Sequence, residues 1–210
     1  MSYFSQHYGK MTTNWGADQL YWQMFFSGIT GKILDIGCST GRYMVLAESL
    51  KQDICGVDVD LDALKIALDR GLKVKFDNIE NRLDGFADNS FAAIHFHAVI
   101  EHLRNPLLAL KECHRLLAPG GKLVCLTMNI DQCKEKFWSM SYTHVSPFSK
   151  NSLKEIAIDA DFKRIETVYE PRYVPLSKHL SDSRFFYINS LAFKLGWHWR
   201  DKIILIAYKR

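Results

Sequence analysis

The residues best suited to hold a ligand lie in the run Asp35-Ile-Gly-Cys-Ser-Thr-Gly41. An apolar segment precedes this run and Tyr43 to Leu50 can continue as a helix, so we predict a strand, a tight turn and a helix. Glycine suits such a turn because it adopts positive φ without strain and has no Cβ to hold a ligand away. The following helix points its unpaired N–H groups and the positive end of its dipole at that ligand. The stretch therefore predicts a binding loop for a small molecule.

Two carboxylates follow the next predicted strands. Asp58 ends the predicted strand 53–58, and Asp77 ends the predicted strand 73–77. Ligands of parallel α/β sheets bind beyond the carboxyl ends of the strands, where an acidic residue after the second strand holds the paired hydroxyls of a ribose. We therefore predict a ligand that contains a nucleoside. The loop lacks the G-x-G-x-x-G pattern of dinucleotide sites, and its acidic residue suits an amine better than a diphosphate.

Two other patterns raise different chemistry. His95 and His97 alternate along one predicted strand and share a face, which raises the question of a metal ion. A zinc site usually needs four ligands, and neither Cys nor Asp stands at a suitable spacing nearby, so no metal is predicted. Cys38 precedes a helix, where a thiol can become nucleophilic, but a packing role is favoured.

The same loop also reads as Gly37-Cys-Ser-Thr-Gly41, the G-x-S-x-G nucleophile elbow of an α/β-hydrolase, with Ser39 as the nucleophile. That fold places several strands and an oxyanion loop ahead of its serine, whereas only 38 residues precede Ser39 here. A hydrolase would also leave Asp58 and Asp77 without a role. It is retained as a remote alternative.

Alternating strands and helices position these residues. Such alternation implies parallel strands joined by right-handed crossovers, and hence an α/β fold. Pro106 opens one helix, and an aromatic-rich insert spans about 171–200. The predicted strands cover 33–36, 53–58, 73–77, 91–99, 122–128, 162–169 and 202–208, and the predicted helices cover 18–26, 43–50, 61–70, 106–117 and 151–160.

Composition limits the class of protein. The chain has 210 residues and a net charge of +4, and its basic residues are scattered, so nucleic acid is not favoured as a partner. Without a signal sequence or an apolar run long enough to cross a bilayer, a cytoplasmic protein is expected. The five cysteines include no C-x-x-C and are expected to be free thiols. The aromatic segment 184–200 has basic edges, so weak peripheral membrane contact is possible, although a packed helix is favoured.

The ordered motifs together resemble the class I S-adenosylmethionine-dependent methyltransferases. They are Asp35-x-Gly37-x-x-x-Gly41, Asp58, Asp77, Val99-Ile-Glu-His-Leu103 and Leu116-Leu-Ala-Pro-Gly-Gly121, and they cover roughly residues 31–129. Many members have glycine where this chain has Ser39. The resemblance implies a Rossmann-like fold with a seven-stranded, mostly parallel sheet, helices on both faces and an antiparallel last strand. It implies one domain over 1–210, with a cap segment (1–30), a cofactor-binding core (31–129) and an acceptor-side insert with the C-terminal strands (130–210).

The resemblance also assigns roles around the cofactor. Asp58 would accept hydrogen bonds from both ribose hydroxyls, and the loop would pass the methionine part of the cofactor. Asp35 would orient that loop or bind the ammonium group through water. The remaining cofactor contacts implied are Gly37, Cys38, Ser39 and Gly41 in the loop, Val59 and Ile79 on the two faces of the adenine, Asp77 or Asn78 at its exocyclic amine, and His97 and Ala98 beneath the sulfonium.

Three histidines compete for the role of base, since an oxygen acceptor must lose its proton. His97 and His102 flank the end of the fourth strand, although His102 beside a glutamate can equally anchor a turn. His144 is favoured because its Thr-His-Val-x-Pro-Phe run resembles a segment after strand five in some bacterial methyltransferases of sugars and cell-surface polysaccharides. A structural histidine bonded to backbone explains His144 at least as well. Trp138, Tyr142, His144 and Phe148 are the predicted acceptor contacts.

The function predicted is O-methylation of a small hydroxylated molecule, such as a sugar or glycan precursor, with S-adenosylmethionine as the cofactor. A protein that binds this cofactor without transferring methyl, and an RNA methyltransferase, remain alternatives. The acceptor itself and the oligomeric state are left open, because acceptor contacts come from loops that carry no general code.

Overall fold

The computed structural model describes residues 15–171 and 182–210. Predictions for residues 1–14 of the cap segment and for residues 172–181 of the aromatic insert lie outside the described residues. In chain order the elements are α1 Trp15–Phe26, β1 Ile33–Ile36, α2 Arg42–Ser49, β2 Ile54–Asp58, α3 Leu61–Asp69, β3 Val74–Phe76, β4 Phe91–His97, a 3-10 turn over Ile100–His102, α4 Pro106–Leu116, β5 Leu117–Met128, α5 Ile130–Cys133, α6 Lys136–Met140, α7 Lys150–Asp159, β6 Arg164–Pro171, α8 Asp182–Lys194 and β7 His198–Tyr208.

The strands form one seven-stranded sheet in the order β3-β2-β1-β4-β5-β7-β6. Neighbouring strands from β3 to β5 are parallel, whereas β7 lies between β5 and β6 and is antiparallel to both. This arrangement confirms the predicted fold class, including the antiparallel last strand. The strand order reverses between β1 and β4, which is where α/β sheets of this kind bind their ligands.

Apolar side chains on both faces of the sheet explain why helices cover both sides. On one face, Ile33 packs in a cluster with residues of α1, α2 and α3, including Trp22 of α1. On the other face, Leu34 and Ile36 pack with residues of α4 and α7. Successive residues of β1 therefore serve two cores, as expected for a strand buried on both faces. All five cysteines are buried and free, as predicted.

Local capping sets several helix boundaries. The Asp60 carboxylate accepts hydrogen bonds from the backbone N–H groups of Asp62 and Ala63, at 3.0 and 3.1 Å, and so caps α3. Gly71 follows that helix with φ +80°, the left-handed conformation in which glycine commonly ends a helix. Ser149 and Ser152 form a reciprocal capping box at the start of α7.

Some boundaries differ from the predicted ones. β4 ends at His97 and not at Val99, because Ala98 turns the chain with φ +56°. β5 begins at Leu117, where that residue pairs with Phe91 ahead of a register shift, so the Pro119–Gly121 run lies within the strand and not before it. The connection 130–150, predicted without regular structure, contains two short helices. No helix in residues 15–171 and 182–210 combines the length and apolar character needed to cross a membrane.

Candidate cofactor and acceptor site

The loop between β1 and α2 requires glycine at two positions. Gly37 and Gly41 have φ +70° and +85°. A Cβ on Gly37 would lie 2.3 Å from Cγ2 of Val99, and one on Gly41 would lie 2.0 Å from Cδ1 of Leu72. These distances are far below van der Waals contact, so only glycine allows the loop to pack against its neighbours in this conformation.

Ser39 also adopts a left-handed conformation, with φ +48°. A side chain is disfavoured in that conformation, so glycine at this position would be less strained. The Ser39 backbone N–H donates a 2.7 Å hydrogen bond to Oδ2 of Asp58, while its own hydroxyl is buried without a hydrogen-bond partner among the described residues. The strained residue therefore joins the glycine loop to the carboxylate that ends β2.

The Asp58 carboxylate is well placed to bind a diol. Its Oδ2 accepts from the backbone of Ser39, and its Oδ1 accepts from the backbone N–H of Asp60 at 2.8 Å. Burial raises the pKa of Asp58, and these two N–H groups partly offset that effect. Since an ionised carboxylate has about four acceptor positions, capacity remains for ribose hydroxyls. Val59 beside it is 57% exposed and so offers an apolar surface at the same edge.

The end of β3 lies against the end of β2, because the backbone N–H of Asp77 donates to the carbonyl of Asp58 at 3.1 Å. The Asp77 carboxylate accepts from Lys75 at 2.8 Å and from the backbone of Asn78 at 3.0 Å. Ile79 is buried and packs in the core, whereas Val59 faces outward. The predicted contacts of Val59, Asp77, Asn78 and Ile79 with adenine thus share one region, and they stay predictions.

Asp35 has a partner that the sequence analysis did not name. Its Oδ1 lies 2.7 Å from Nδ1 of His95, and both side chains are almost completely buried. These residues are in register on the adjacent parallel strands β1 and β4. Only this register could have predicted the pair, because it places the two side chains opposite each other on the same face of the sheet. The predicted contact of Asp35 with an ammonium group through water stays a prediction.

Cys38 is buried under the loop and fills the space beside Gly56, whose added Cβ would lie 2.6 Å from the Cys38 Sγ. Burial raises the pKa of the Cys38 thiol, and the nearby carboxylates of Asp35 and Asp58 raise it further. The thiolate is therefore disfavoured, which is the opposite of what a cysteine nucleophile needs.

His97 lies apart from the other two candidate bases. Its ring contacts Tyr43 and Tyr21, with centroid distances of 4.9 and 5.8 Å. Burial lowers the pKa of His97 well below its usual value, and His95 lowers it further, so His97 is neutral at pH 7. Helix α1, which contributes Tyr21 to this contact, also carries Asp18, whose carboxylate forms an ion pair with Arg42.

The other two candidates lie together. The rings of His102 and His144 are 4.8 Å apart between centroids. The Val145 backbone N–H donates to the carbonyl of Glu101 at 2.9 Å, so the Thr-His-Val-x-Pro-Phe segment lies on the Glu-His-Leu turn after β4. Burial raises the pKa of Glu101 to about 7. Burial lowers the pKa of His102, and the neighbouring His144 lowers it further. The sequence indicated both histidines as candidate bases, whereas Glu101 was given no role beyond its place in the Val99–Leu103 motif.

The predicted acceptor contacts divide into exposed and buried groups. Trp138 and Tyr142 are 51% and 83% exposed, so much of each side chain faces solvent. Phe148 is only 5% exposed and packs in the main core, where its backbone carbonyl accepts from Ile130 at 2.9 Å. Phe148 thus packs inward and anchors the segment to the sheet, and its predicted contact with the acceptor stays a prediction.

Comparison with known proteins identifies the family. A family model described as a methyltransferase domain matches residues 23–167. The ubiquinone biosynthesis O-methyltransferase of Psychrobacter cryohalolentis is 28% identical over 177 residues, which cover 72% of this chain and 66% of that protein. The protein of the same name from Cereibacter sphaeroides is 32% identical over 108 residues, covering 50% of this chain and 43% of the relative. This chain therefore spans between 43% and 66% of their length.

A solved structure shows the same fold. The crystal structure of a SAM dependent methyltransferase from Archaeoglobus fulgidus superposes with a TM-score of 0.74 at 20% identity, and the match covers 98% of both chains. Together with the family match, it shows that this chain belongs to the class I S-adenosylmethionine-dependent methyltransferases, as predicted. The site fits the S-adenosylmethionine cofactor of this class, because the Ser39 backbone N–H holds the Asp58 carboxylate beside the glycine loop and acceptor positions on that carboxylate remain for ribose hydroxyls.

Proposed function

We propose that the protein methylates an oxygen atom of a small hydroxylated molecule, such as a sugar or glycan precursor. The observation that carries this proposal is the pairing of His102 and His144 just beyond the carboxyl end of β4, next to the reversal point of the sheet. Relatives at 28% and 32% identity that are named O-methyltransferases support oxygen as the accepting atom.

S-adenosylmethionine, when bound, supplies a methyl group on a positively charged sulfur. Asp58 and the glycine loop would hold the nucleoside and methionine parts, so that the acceptor hydroxyl can approach in line with the bond that breaks. The C–S bond breaks with its electrons remaining on sulfur, and the new C–O bond forms. The protein's main tasks are alignment and removal of the hydroxyl proton.

His144 is the residue we assign to proton removal. Its Nδ1 lies 2.7 Å from the backbone carbonyl of Phe137, which can only accept, so Nδ1 carries the hydrogen. In the neutral ring, Nε2 then carries the lone pair that can accept a proton from the acceptor hydroxyl. The exposed rings of Trp138 and Tyr142 on the same segment would cover the apolar face of a sugar.

The proposal is tested by methyl transfer from isotope-labelled cofactor to a panel of sugars, sugar nucleotides and phenols. We expect incorporation into a hydroxylated acceptor and a loss of about 10²- to 10⁴-fold in His144→Ala. His114→Ala, a half-buried histidine that packs on Phe162, is the matched control and should keep full activity. Binding of S-adenosylhomocysteine to all variants would show that the cofactor site is intact. No transfer to any member of the panel by protein that binds S-adenosylhomocysteine would favour a binding protein instead.

A further inference from the structure

The side chains of Glu101, His102 and His144 form a potential metal-binding cluster. One potential ligand atom from each residue lies within 4.8 Å of those from the other two. Two imidazoles and one carboxylate are the donor set of catalytic zinc sites and of non-haem iron sites, which keep further positions open. A metal ion bound at about 2.0–2.2 Å holds such atoms about 3–3.5 Å apart, so small side-chain rotations would bring the three into position.

Each member of this cluster is oriented by a further hydrogen bond. Thr127 donates to Oε2 of Glu101 at 2.8 Å, and the Thr143 hydroxyl lies 2.8 Å from Nδ1 of His102. His144 is held through Nδ1 by a backbone carbonyl. Metal-binding histidines usually direct one ring nitrogen to an oxygen of the protein, which fixes the ring and leaves the other nitrogen for the metal.

The environment of Glu101 also favours a cation. The residue is 1% exposed, and its carboxylate forms no ion pair with any Lys or Arg in the described part of the chain. A buried carboxylate is costly unless it is neutralised by a proton or a positive charge. His102 and His144 are only partly buried, so the cluster opens toward the surface on their side, where an ion and an acceptor can enter.

We propose that Glu101, His102 and His144 bind a divalent transition-metal ion, with Zn²⁺ as the reference ion, and that the acceptor oxygen becomes a further ligand. A bound metal ion lowers the pKa of a hydroxyl that it coordinates. With the metal bound, the hydroxyl proton would pass to solvent water and His144 would be a ligand. In metal-free protein, His144 would be the proton acceptor assigned above. The role in catalysis rests on the proposed O-methyl transfer, whereas the binding of metal does not.

No sequence pattern indicated this site. The prediction of no metal considered His95 and His97 on one strand, and the fold pairs that His95 with Asp35. The cluster instead joins the turn after β4 to the segment before α7, since 41 residues separate His102 from Thr143.

The experiment is calorimetric titration of Zn²⁺ into the full chain after chelator treatment and dialysis, with Co²⁺ absorption in the visible range as a second readout. We expect one ion per chain. Glu101→Gln and His144→Ala should each weaken binding at least tenfold, and Thr127→Val, which changes only the orienting hydroxyl, should weaken it by up to tenfold. His114→Ala should bind as the unaltered protein does.

Binding of S-adenosylhomocysteine to each variant checks folding independently of the metal. Absence of stoichiometric Zn²⁺ binding to the unaltered chain would overturn the proposed site. So would a Zn²⁺ affinity of the folded Glu101→Gln and His144→Ala variants equal to that of the unaltered protein. Full methyl transfer by metal-free protein would overturn the catalytic role of the metal while supporting the proposed function. Metal binding at this site by protein that transfers no methyl would instead support the site and contradict the proposed function.

Discussion

Asp35 and His95 face each other across adjacent strands and share a 2.7 Å hydrogen bond inside the core. The His95 ring is enclosed by aromatic rings, including Tyr43 at 4.7 Å and Trp22 at 5.3 Å between centroids. Its Nε2 is buried without a partner in the described residues. His95 therefore contacts both the Asp35 carboxylate and the aromatic side chains of the helices that cover this face of the sheet.

Removal of the His95 ring should be strongly destabilising. His95→Ala leaves a cavity among aromatic rings and leaves the Asp35 carboxylate without its partner, so we expect a loss of about 3 kcal/mol or more in the free energy of unfolding. Urea unfolding followed by circular dichroism measures it. His114→Ala should lose about 1 kcal/mol or less, because that residue is half-buried. Equal losses in both variants would contradict the role given to His95.

The Asp58 carboxylate should contribute strongly to cofactor affinity. Asp58→Ala removes the group that would bind both ribose hydroxyls, and we expect S-adenosylhomocysteine affinity to fall by about 2–4 kcal/mol in calorimetric titration. Asp53→Ala is the control, because Asp53 precedes the first residue of β2 and, within the described part of the chain, its side chain forms an exposed 3.5 Å ion pair with Lys73. Unchanged affinity in Asp58→Ala would remove the assignment of this residue.

Substitution of Gly41 and Gly71 would separate the cost of a positive φ from the cost of steric contact with an added Cβ. Both have positive φ, but a Cβ on Gly71 meets open space, whereas one on Gly41 meets Leu72 at 2.0 Å. Gly71→Ala should therefore cost about 1 kcal/mol from backbone strain alone. Gly41→Ala should cost about 1–3 kcal/mol more, because the side chain overpacks the loop. Thermal and urea unfolding would measure the difference, and equal costs would show that Leu72 moves away freely.

Glu112 should make stability depend on pH. Burial alone would raise the pKa of Glu112, but hydrogen bonds from Arg115 and from the backbone of Leu83 outweigh it and lower the pKa below 4.5. A carboxylate whose pKa is lower in the folded state stabilises the protein fully above its unfolded pKa. This contribution is lost as pH falls from about 4.5 through the folded pKa.

Glu112→Gln should therefore flatten the decline in stability below pH 4.5, measured by urea unfolding at a series of pH values. Glu166→Gln is the control, because Glu166 is exposed and its ion pair in residues 15–171 and 182–210 is a 3.6 Å contact with Arg164. A decline as steep in Glu112→Gln as in the unaltered protein would contradict this account.

Helix α8 and the turn that follows it carry exposed apolar side chains. Tyr187 and Leu191 of α8 and Leu195 just after it recur every fourth residue and are 69%, 45% and 79% exposed. We predict weak binding to anionic liposomes, and Leu195→Asp should abolish it. Leu68→Asp, at a 57% exposed position of α3, should bind as the unaltered protein does. Equal sedimentation of the protein with and without anionic vesicles would exclude this membrane contact.

Much of the fold could be predicted because its signals are local. Apolar runs identified the core of all seven strands, and the ordered set of motifs between Asp35 and Gly121 indicated the family. The side-chain partners of Asp35 could have been predicted only with the register of β1 and β4. The inward packing of Phe148 could not be predicted, because a residue in an irregular segment has no periodicity to show which way its ring points.

The acceptor side was predicted least well, for a physical reason. Glu101 and His144 belong to segments far apart in the chain, and the contact between them depends on how the connection after β5 folds back. Local patterns carry no information about such a contact. They nevertheless singled out both segments as unusual, and the structure shows that the two segments lie together.

The placement of β7 between β5 and β6 means that the sheet cannot be completed until the last strand has been translated. During translation β6 emerges before β7, its only neighbour in the described sheet, so it must wait with unpaired N–H and C=O groups. The outer edge of β5 stays open for the same interval. Nascent chains of this protein should therefore interact with chaperones until β7 has left the exit tunnel, and a pause in translation between the two strands would prolong exposure to aggregation.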